Sequence, residues 1–339
     1  MNQIDFLASQ PHYLDHIAPV WDALPDQARG TFYVPEEMLD YADRILHKTL
    51  YLFSYTDRTF GPFVDCHPVL VAGYGDMMAL HRQNPSRRIV MMEHGTGHTF
   101  HTAAYPDGTG KRDWVDLFLP PNEYTKRKIQ GIRQTRCEVV GTPKLDKVFW
   151  EMNPSNSIKN YYDNPPTIAI GFHWGSKNNI PPESGTAFDH YKGIIPELSK
   201  QFNLLGYGHP LAADVYKRFF TSLGIEYTNN LMDVFHQADV CINDLSSAMY
   251  EFLVTGKPVI VLNAPWFRRD VQHGIRFWDY ADIGIQVEEP GELVFAIQQT
   301  LDNYGTIRSS ERVTTVQDLF PYLGIASERA AGVLRRYLE

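Results

Sequence analysis

The stretch Val240-Cys241-Ile242-Asn243-Asp244-Leu245-Ser246-Ser247-Ala248-Met249-Tyr250-Glu251-Phe252-Leu253-Val254-Thr255-Gly256-Lys257-Pro258-Val259-Ile260-Val261-Leu262 decides the fold. Two short apolar runs, Val240–Asn243 and Val259–Leu262, flank a helix-length segment, Ser247–Thr255, which is closed by Gly256-Lys257-Pro258. Apolar runs of this length without polar alternation suit parallel strands buried on both faces by helices.

The same pattern continues outward in both directions. Further strands are expected at Thr167–Phe172, Phe202–Gly206, Ile225–Thr228 and Ile283–Val287, with helices at Leu211–Leu223 and Pro290–Tyr304. Towards the N-terminus, strand candidates are Ile4–Ala8, Thr31–Val34, Thr49–Ser54, Pro68–Ala72, Arg88–Met92, Leu117–Leu119 and Cys137–Val140. This is the pattern of α/β layers, present twice. Turn and breaker residues crowd Trp150–Pro166, so the expected division is 1–155, 156–315 and a C-terminal helical segment, 316–339, with a helix at Ser327–Glu339.

The chain has 339 residues, 43% hydrophobic and 21% charged, enough for two cores at about 150 residues each. Its 31 basic and 40 acidic side chains leave a formal charge of −9, which argues against a broad nucleic-acid surface. A local basic groove stays open, with Lys126, Arg127, Lys128, Arg133 and Arg136 the densest basic stretch; a solvated helix face is the plainer reading. Three cysteines exclude a disulfide framework or a cysteine-based zinc site. No apolar run approaches the ~20 residues of a membrane-spanning helix, and the first residues lack the pattern of a signal peptide. The expectation is a cytoplasmic enzyme, with peripheral membrane attachment left open.

In open α/β sheets ligands bind beyond the carboxyl ends of the strands. Four turns there carry polar or glycine-rich sequence. Glu93-His94-Gly95-Thr96-Gly97-His98 follows a strand; its glycine amides can face an anion, and His94 has the pKa range to move a proton at neutral pH. His94, His98 and His101 also invite a metal reading, which the lack of a patterned carboxylate disfavours. Gly141-Thr142-Pro143-Lys144-Leu145-Asp146 is a tight turn into a helix, from which Lys144 reaches a phosphate or pairs with Asp146. Gly206-Tyr207-Gly208-His209-Pro210 puts an imidazole at a helix mouth, its backbone extended by the following proline. In the fourth, Ser246 and Ser247 cap helix amides or donate to phosphate oxygens. Glu251, one turn on, is either a ribose-binding carboxylate or a surface charge.

No Asp-X-Asp pair ends a strand and no Walker-type loop is present, so no essential metal, no cofactor and no ordinary P-loop ATPase is expected. Gly73-Tyr74-Gly75 lacks the third glycine of a dinucleotide fingerprint. Arg268 and Arg269, beside Trp266 and Phe267, suit either an anionic donor, an acceptor ring or an ordinary surface loop. The turns together suggest a nucleotide-diphosphate donor held by the second half, with acceptor and base from the first.

In their order, His94-Gly95-Thr96, Gly141-Thr142-Pro143-Lys144-Leu145-Asp146, His209-Pro210, Asp244-Leu245-Ser246-Ser247 and Gly256-Lys257-Pro258 resemble the CDP-glycerol glycerophosphotransferase family. The strand ending in His173-Trp174 also fits the family's strand and aromatic turn. The resemblance implies a GT-B fold, two facing Rossmann-like domains with an interdomain cleft. It makes His94 the general base for the acceptor hydroxyl. His209 would steady the donor pyrophosphate, Ser246 and Ser247 would bind phosphate oxygens, and Asp244 would orient their loop. The implied donor contacts extend to Gly95, Thr96, Thr142, Lys144 and Glu251. Lys144 stands where arginine is usual in that family, and Glu251 where aspartate is.

The implied reaction moves a polyol-phosphate group from a CDP-activated donor to a hydroxyl on a glycan, a lipid-linked primer or a modified nucleobase. Sugar transfer from a nucleotide sugar is the alternative. A sugar-nucleotide epimerase and a non-catalytic nucleotide-binding protein are the other readings. The oligomeric state is left open.

Overall fold

The computed structural model describes residues 2–46, 51–53, 66–96, 114–128, 136–152, 165–174, 185–267 and 278–339. The chain divides into two units: residues 1–98, 108–147 and 318–339 form the first, and residues 99–107 and 148–317 the second. No helix among the described residues is long and apolar enough to cross a membrane.

The first unit is built on a parallel sheet of β1 (Ile4–Leu7), β2 (Arg29–Pro35), β3 (Tyr51–Phe53), β4 (Val69–Val71), β5 (Ile89–Met92), β6 (Leu117–Leu119) and β7 (Arg136–Cys137), in the order β3-β2-β1-β4-β5-β6-β7. The second carries β8 (Thr167–Phe172), β9 (Asn203–Gly208), β10 (Glu226–Thr228), β11 (Val240–Asn243), β12 (Val259–Leu262) and β13 (Gly284–Val287), in the order β10-β9-β8-β11-β12-β13. Both are Rossmann-like: the strand order reverses beside the first strand of each sheet, which opens a crevice at the carboxyl ends there. The stretch Val240–Leu262 forms a parallel pair as its pattern predicts, with Cys241 opposite Val259 and Asn243 opposite Val261.

The strands fall on the expected apolar runs, with one notable shift. The last strand of the first sheet is Arg136–Cys137 rather than Cys137–Val140. Its neighbour β6 ends at Leu119, and Pro120 and Pro121, having no N–H, cannot extend the ladder. The chain stays alongside through Glu138 N–H to Phe118 O (3.0 Å) and Val140 N–H to Pro120 O (3.1 Å).

The helix Pro11–Ala23, which the pattern along the chain had not singled out, follows β1 with proline near its first turn. It buries Leu14, Ile17, Val20 and Trp21 in the first unit's core. The C-terminal helix Ala326–Leu338 returns to that same core with Ala330, Ala331, Val333, Leu334 and Leu338. Its start is seated on the Gly141–Asp146 turn. Asp146 accepts from the amides of Ala326 (3.1 Å) and Ser327 (2.8 Å) and from Ser327 Oγ (2.6 Å). Gly141 has φ +85°, and a Cβ there would lie 2.5 Å from Pro321 O. Asp146 therefore serves as a cap for the returning helix, a use that the expected pairing with Lys144 did not foresee.

Candidate functional site

In the first unit, β5 delivers His94 at its carboxyl end. His94 Nδ1 lies 2.9 Å from the carbonyl oxygen of Ala72, the residue just after β4. A carbonyl only accepts, so Nδ1 carries the proton and Nε2 presents its lone pair. That is the tautomer a general base needs. Glu93, buried, approaches Nδ1 at 3.8 Å. Gly95 takes the left-handed conformation (φ +80°) that lets the chain turn sharply behind the imidazole.

The turn is held by residues that the reading of the sequence missed. The Gly95 amide, expected to face an anion, donates to His16 Nε2 at 3.0 Å. Asn122 Nδ2 donates to Thr96 O (2.7 Å) and to Leu319 O (2.9 Å), while its Oδ1 accepts from the Thr125 amide (2.7 Å). Thr96 itself is fully buried, and its hydroxyl has no partner among the described residues. The hydroxyl of Thr142 is buried likewise.

His12, Tyr13 and His16, all on the helix Pro11–Ala23, gather round His94, with ring centroids 5.8, 5.0 and 6.4 Å away. Burial pushes His12 down to about 3, helped by the charges of His94 and Lys144. Burial also holds His16 well below the ordinary imidazole range, with Lys144, His94 and His12 adding to it. Lys144 thus acts on the histidine cluster of its own unit. Ser9 fixes the start of this helix by donating from its amide (3.2 Å) and hydroxyl (2.5 Å) to Asp76, whose burial raises its pKa to about 6. Gly73 leaves room for Tyr13, since a Cβ there would lie 2.4 Å from its ring; the Gly73-Tyr74-Gly75 turn admits an aromatic side chain. The signal that was available is His12 and His16, one helical turn apart, immediately after the first strand.

In the second unit, β8, β9 and β11 bring His173, His209 and Asp244 to the crevice where the strand order reverses. His209 Nδ1 accepts from the Leu211 amide (3.2 Å), which leaves the proton on Nε2. His209 therefore presents a donor, the converse of His94. The rings of His173 and Trp174 lie 5.1 and 5.9 Å from it. His173 is pushed down to about 4 by burial, against the opposing pull of Asp244. Gly206 and Gly208 allow the helix Ala213–Ser222 to pack closely on β9; Cβ atoms there would meet Phe220 at 2.4 Å and Tyr216 at 2.1 Å.

Asp244 is fully buried and accepts four hydrogen bonds. Oδ1 takes the amides of His173 (2.9 Å) and Leu245 (2.8 Å); Oδ2 takes the amide of Ala187 and the hydroxyl of Thr186, both at 2.9 Å. The carboxylate thereby ties three loops together. Ser246 Oγ accepts from the Ala248 amide (3.2 Å), whereas the half-buried Ser247 makes no side-chain cap. Glu251 is fully buried, which removes the reading as a surface charge. Lys257 is also buried; its ammonium donates to Phe235 O (2.9 Å) and Ala238 O (2.7 Å) at the end of the helix Leu231–Gln237, a favourable place for a cation.

Of the basic stretch, Lys126 pairs with Glu123 at 3.5 Å and Arg136 pairs with Glu138. Gly97, His98, His101, Arg133, Arg268 and Arg269, and the side chain of Lys128, lie outside the described residues.

Two Rossmann-like units, each with histidines at its strand ends, give the chain a GT-B-type fold. The family model described as CDP-Glycerol:Poly(glycerophosphate) glycerophosphotransferase matches residues 111–323, and the chain belongs to that family. Among curated proteins no sequence matches it. Among solved structures, S. aureus MnaA with UDP is similar at a TM-score of 0.65 and 16% identity, covering 100% of this chain and 97% of that one. The wall teichoic acid polymerase TagF is similar at 0.61 and 13%, covering 99% and 88%. The UDP-GlcNAc 2-epimerase from Neisseria meningitidis, bound to UDP-GlcNAc, is similar at 0.57 and 15%, covering 100% and 99%. These likenesses are of fold.

Proposed function

We propose that this chain transfers a glycerol-phosphate or other polyol-phosphate group from a CDP-activated donor to an acceptor hydroxyl, with His94 as general base. The observation that supports it best is the Nδ1–H···O bond from His94 to Ala72, which puts the proton on Nδ1 and makes Nε2 the basic nitrogen. In this reaction the acceptor oxygen attacks the phosphorus bearing the polyol, its proton passes to His94 Nε2, and the bond to the departing CMP breaks. His209, donating through Nε2–H, steadies the charge that builds on the phosphate oxygens. Ser246 and Ser247 bind further phosphate oxygens, and Asp244 keeps their loop in place. No metal is required in this scheme, and the family's own description favours a poly(glycerophosphate) acceptor over the other hydroxyl acceptors.

The test is CMP release from CDP-glycerol with a glycerophosphate primer, before and after exhaustive EDTA treatment. His94→Ala is expected to lower turnover by at least ~10²-fold with little change in donor binding. His209→Ala and the double change Ser246→Ala/Ser247→Ala are expected to weaken calorimetric donor binding as well as rate. Wild-type turnover in His94→Ala removes the base; loss on EDTA rescued by Mg²⁺ contradicts the metal-free scheme. Tighter binding of UDP- or GDP-linked sugars than of CDP-glycerol moves the chain to sugar transfer.

A further inference from the structure

We infer that His16 is a positioning residue, a neutral acceptor whose Nε2 holds the His94–Gly95 peptide and so keeps the His94 ring on Ala72. The inference rests on reading His94 as the base. The chain on either side of that peptide is already fixed: the Glu93 amide bonds Leu119 O (3.2 Å), and Asn122 holds Thr96 O. His16 fixes the peptide itself, from 79 residues away in sequence.

Two features argue that the imidazole is there for this bond. With Nε2 accepting, the proton must sit on Nδ1, yet His16 Nδ1 is buried and has no partner among the described residues. A buried N–H without an acceptor is destabilising, so a leucine of similar size would suit packing better. The second feature is neutrality. Only the unprotonated ring can accept, and burial together with Lys144, His94 and His12 disfavours its protonation. Without His16 the Gly95 N–H, left buried and unsatisfied, gains by rotating towards another acceptor. Because the rotating peptide begins at His94, the imidazole swings off Ala72 O and loses its preferred tautomer. Small misplacements of a reacting group cost up to about 10²-fold in rate.

The experiment uses the full chain with ¹⁵N-labelled histidine, the His94 signals being assigned by their loss in His94→Gln. In the wild type His94 is expected to show a protonated Nδ1 and an unprotonated Nε2. In His16→Leu these shifts should move towards a mixture of tautomers, and in His16→Gln, whose amide oxygen reaches the Nε2 position, they should be restored. If His16→Leu does not fold, His16→Asn, too short to reach Gly95, takes its place. Unchanged His94 shifts in the leucine or asparagine variant overturn the inference whatever the rate does.

CMP release is followed in parallel, with kcat expected to fall ~10- to 10²-fold at nearly constant KM for the donor. Changed tautomers with unchanged CMP release support the role of His16 and overturn that of His94 as base. In the His94→Ala background, removing His16 should cost nothing more. A further loss there shows that His16 acts independently and overturns the inference.

Discussion

Replacing Asp244 by asparagine tests a carboxylate that accepts four hydrogen bonds in the second unit while changing hardly an atom in size. The carboxylate accepts from three backbone amides and one hydroxyl. Asparagine has one acceptor oxygen. Its better rotamer keeps that oxygen on the amides of His173 and Leu245 and turns the NH₂ towards Thr186 and Ala187. The Thr186 hydroxyl can reverse and accept, but the Ala187 amide then faces another donor. A buried amide left without an acceptor costs about 1–3 kcal/mol, and the two retained bonds each lose about 1 kcal/mol with the charge. The sum, about 3–5 kcal/mol, corresponds to a drop of roughly 10 °C in melting temperature for a unit of this size. Thermal melts measure the global effect, and hydrogen exchange at Ala187 reports the local one, where protection should fall. A variant that melts with the wild type and still protects Ala187 refutes the claim that this carboxylate ties the three loops.

Two further outcomes concern stability. His12 and His173 have folded pKa values of about 3 and about 4, both below the ordinary 6.5, and His16 is shifted the same way. The unfolded chain therefore binds the extra protons, and the stability that these groups supply above pH 6.5 is lost as pH falls from 6.5 towards 4. Asp76, raised to about 6, opposes them: its folded form holds a proton below that pH and gains stability there. Burial raises Asp146 as well and lowers His81, so the imidazoles still outnumber the carboxyls and leave a net loss, at about 1.4 kcal/mol per pH unit for each net proton. The melting temperature should fall between pH 7 and pH 5, and a flat profile would count against the buried histidines. Lys257→Met should lower stability by about 1–3 kcal/mol, because two carbonyls at the end of the helix Leu231–Gln237 lose their donor. Denaturant titration checks it, and a neutral result would show that water replaces the ammonium.

Much of the site's backbone was legible beforehand, because parallel strands buried on both faces must be apolar runs and their carboxyl ends must turn. His94, His209 and Asp244 stand at those turns, where the pattern led to them. The support around them was not legible. His16 meets Gly95, and Asn122 meets Leu319 from 197 residues away, through contacts with no periodic trace in the sequence. Thr186 contributes to the Asp244 cluster from a segment with no strand or helix pattern of its own. Glu251 looked equally at home on a helix surface, and only the packing of its helix against the sheet buries it.

By itself, then, the sequence determined the α/β class, the doubling of the pattern and the turns where chemistry can occur, since local periodicity and breaker residues report burial and direction. The tertiary structure alone decided which atom of each histidine carries the proton. That choice follows from an acceptor or donor that folding supplies, Ala72 O for His94 and the Leu211 amide for His209, brought within hydrogen-bond distance by strand pairing in one case and a helix start in the other. A residue's identity fixes what its side chain can do, but the partner that folding places beside it fixes which of those things it does.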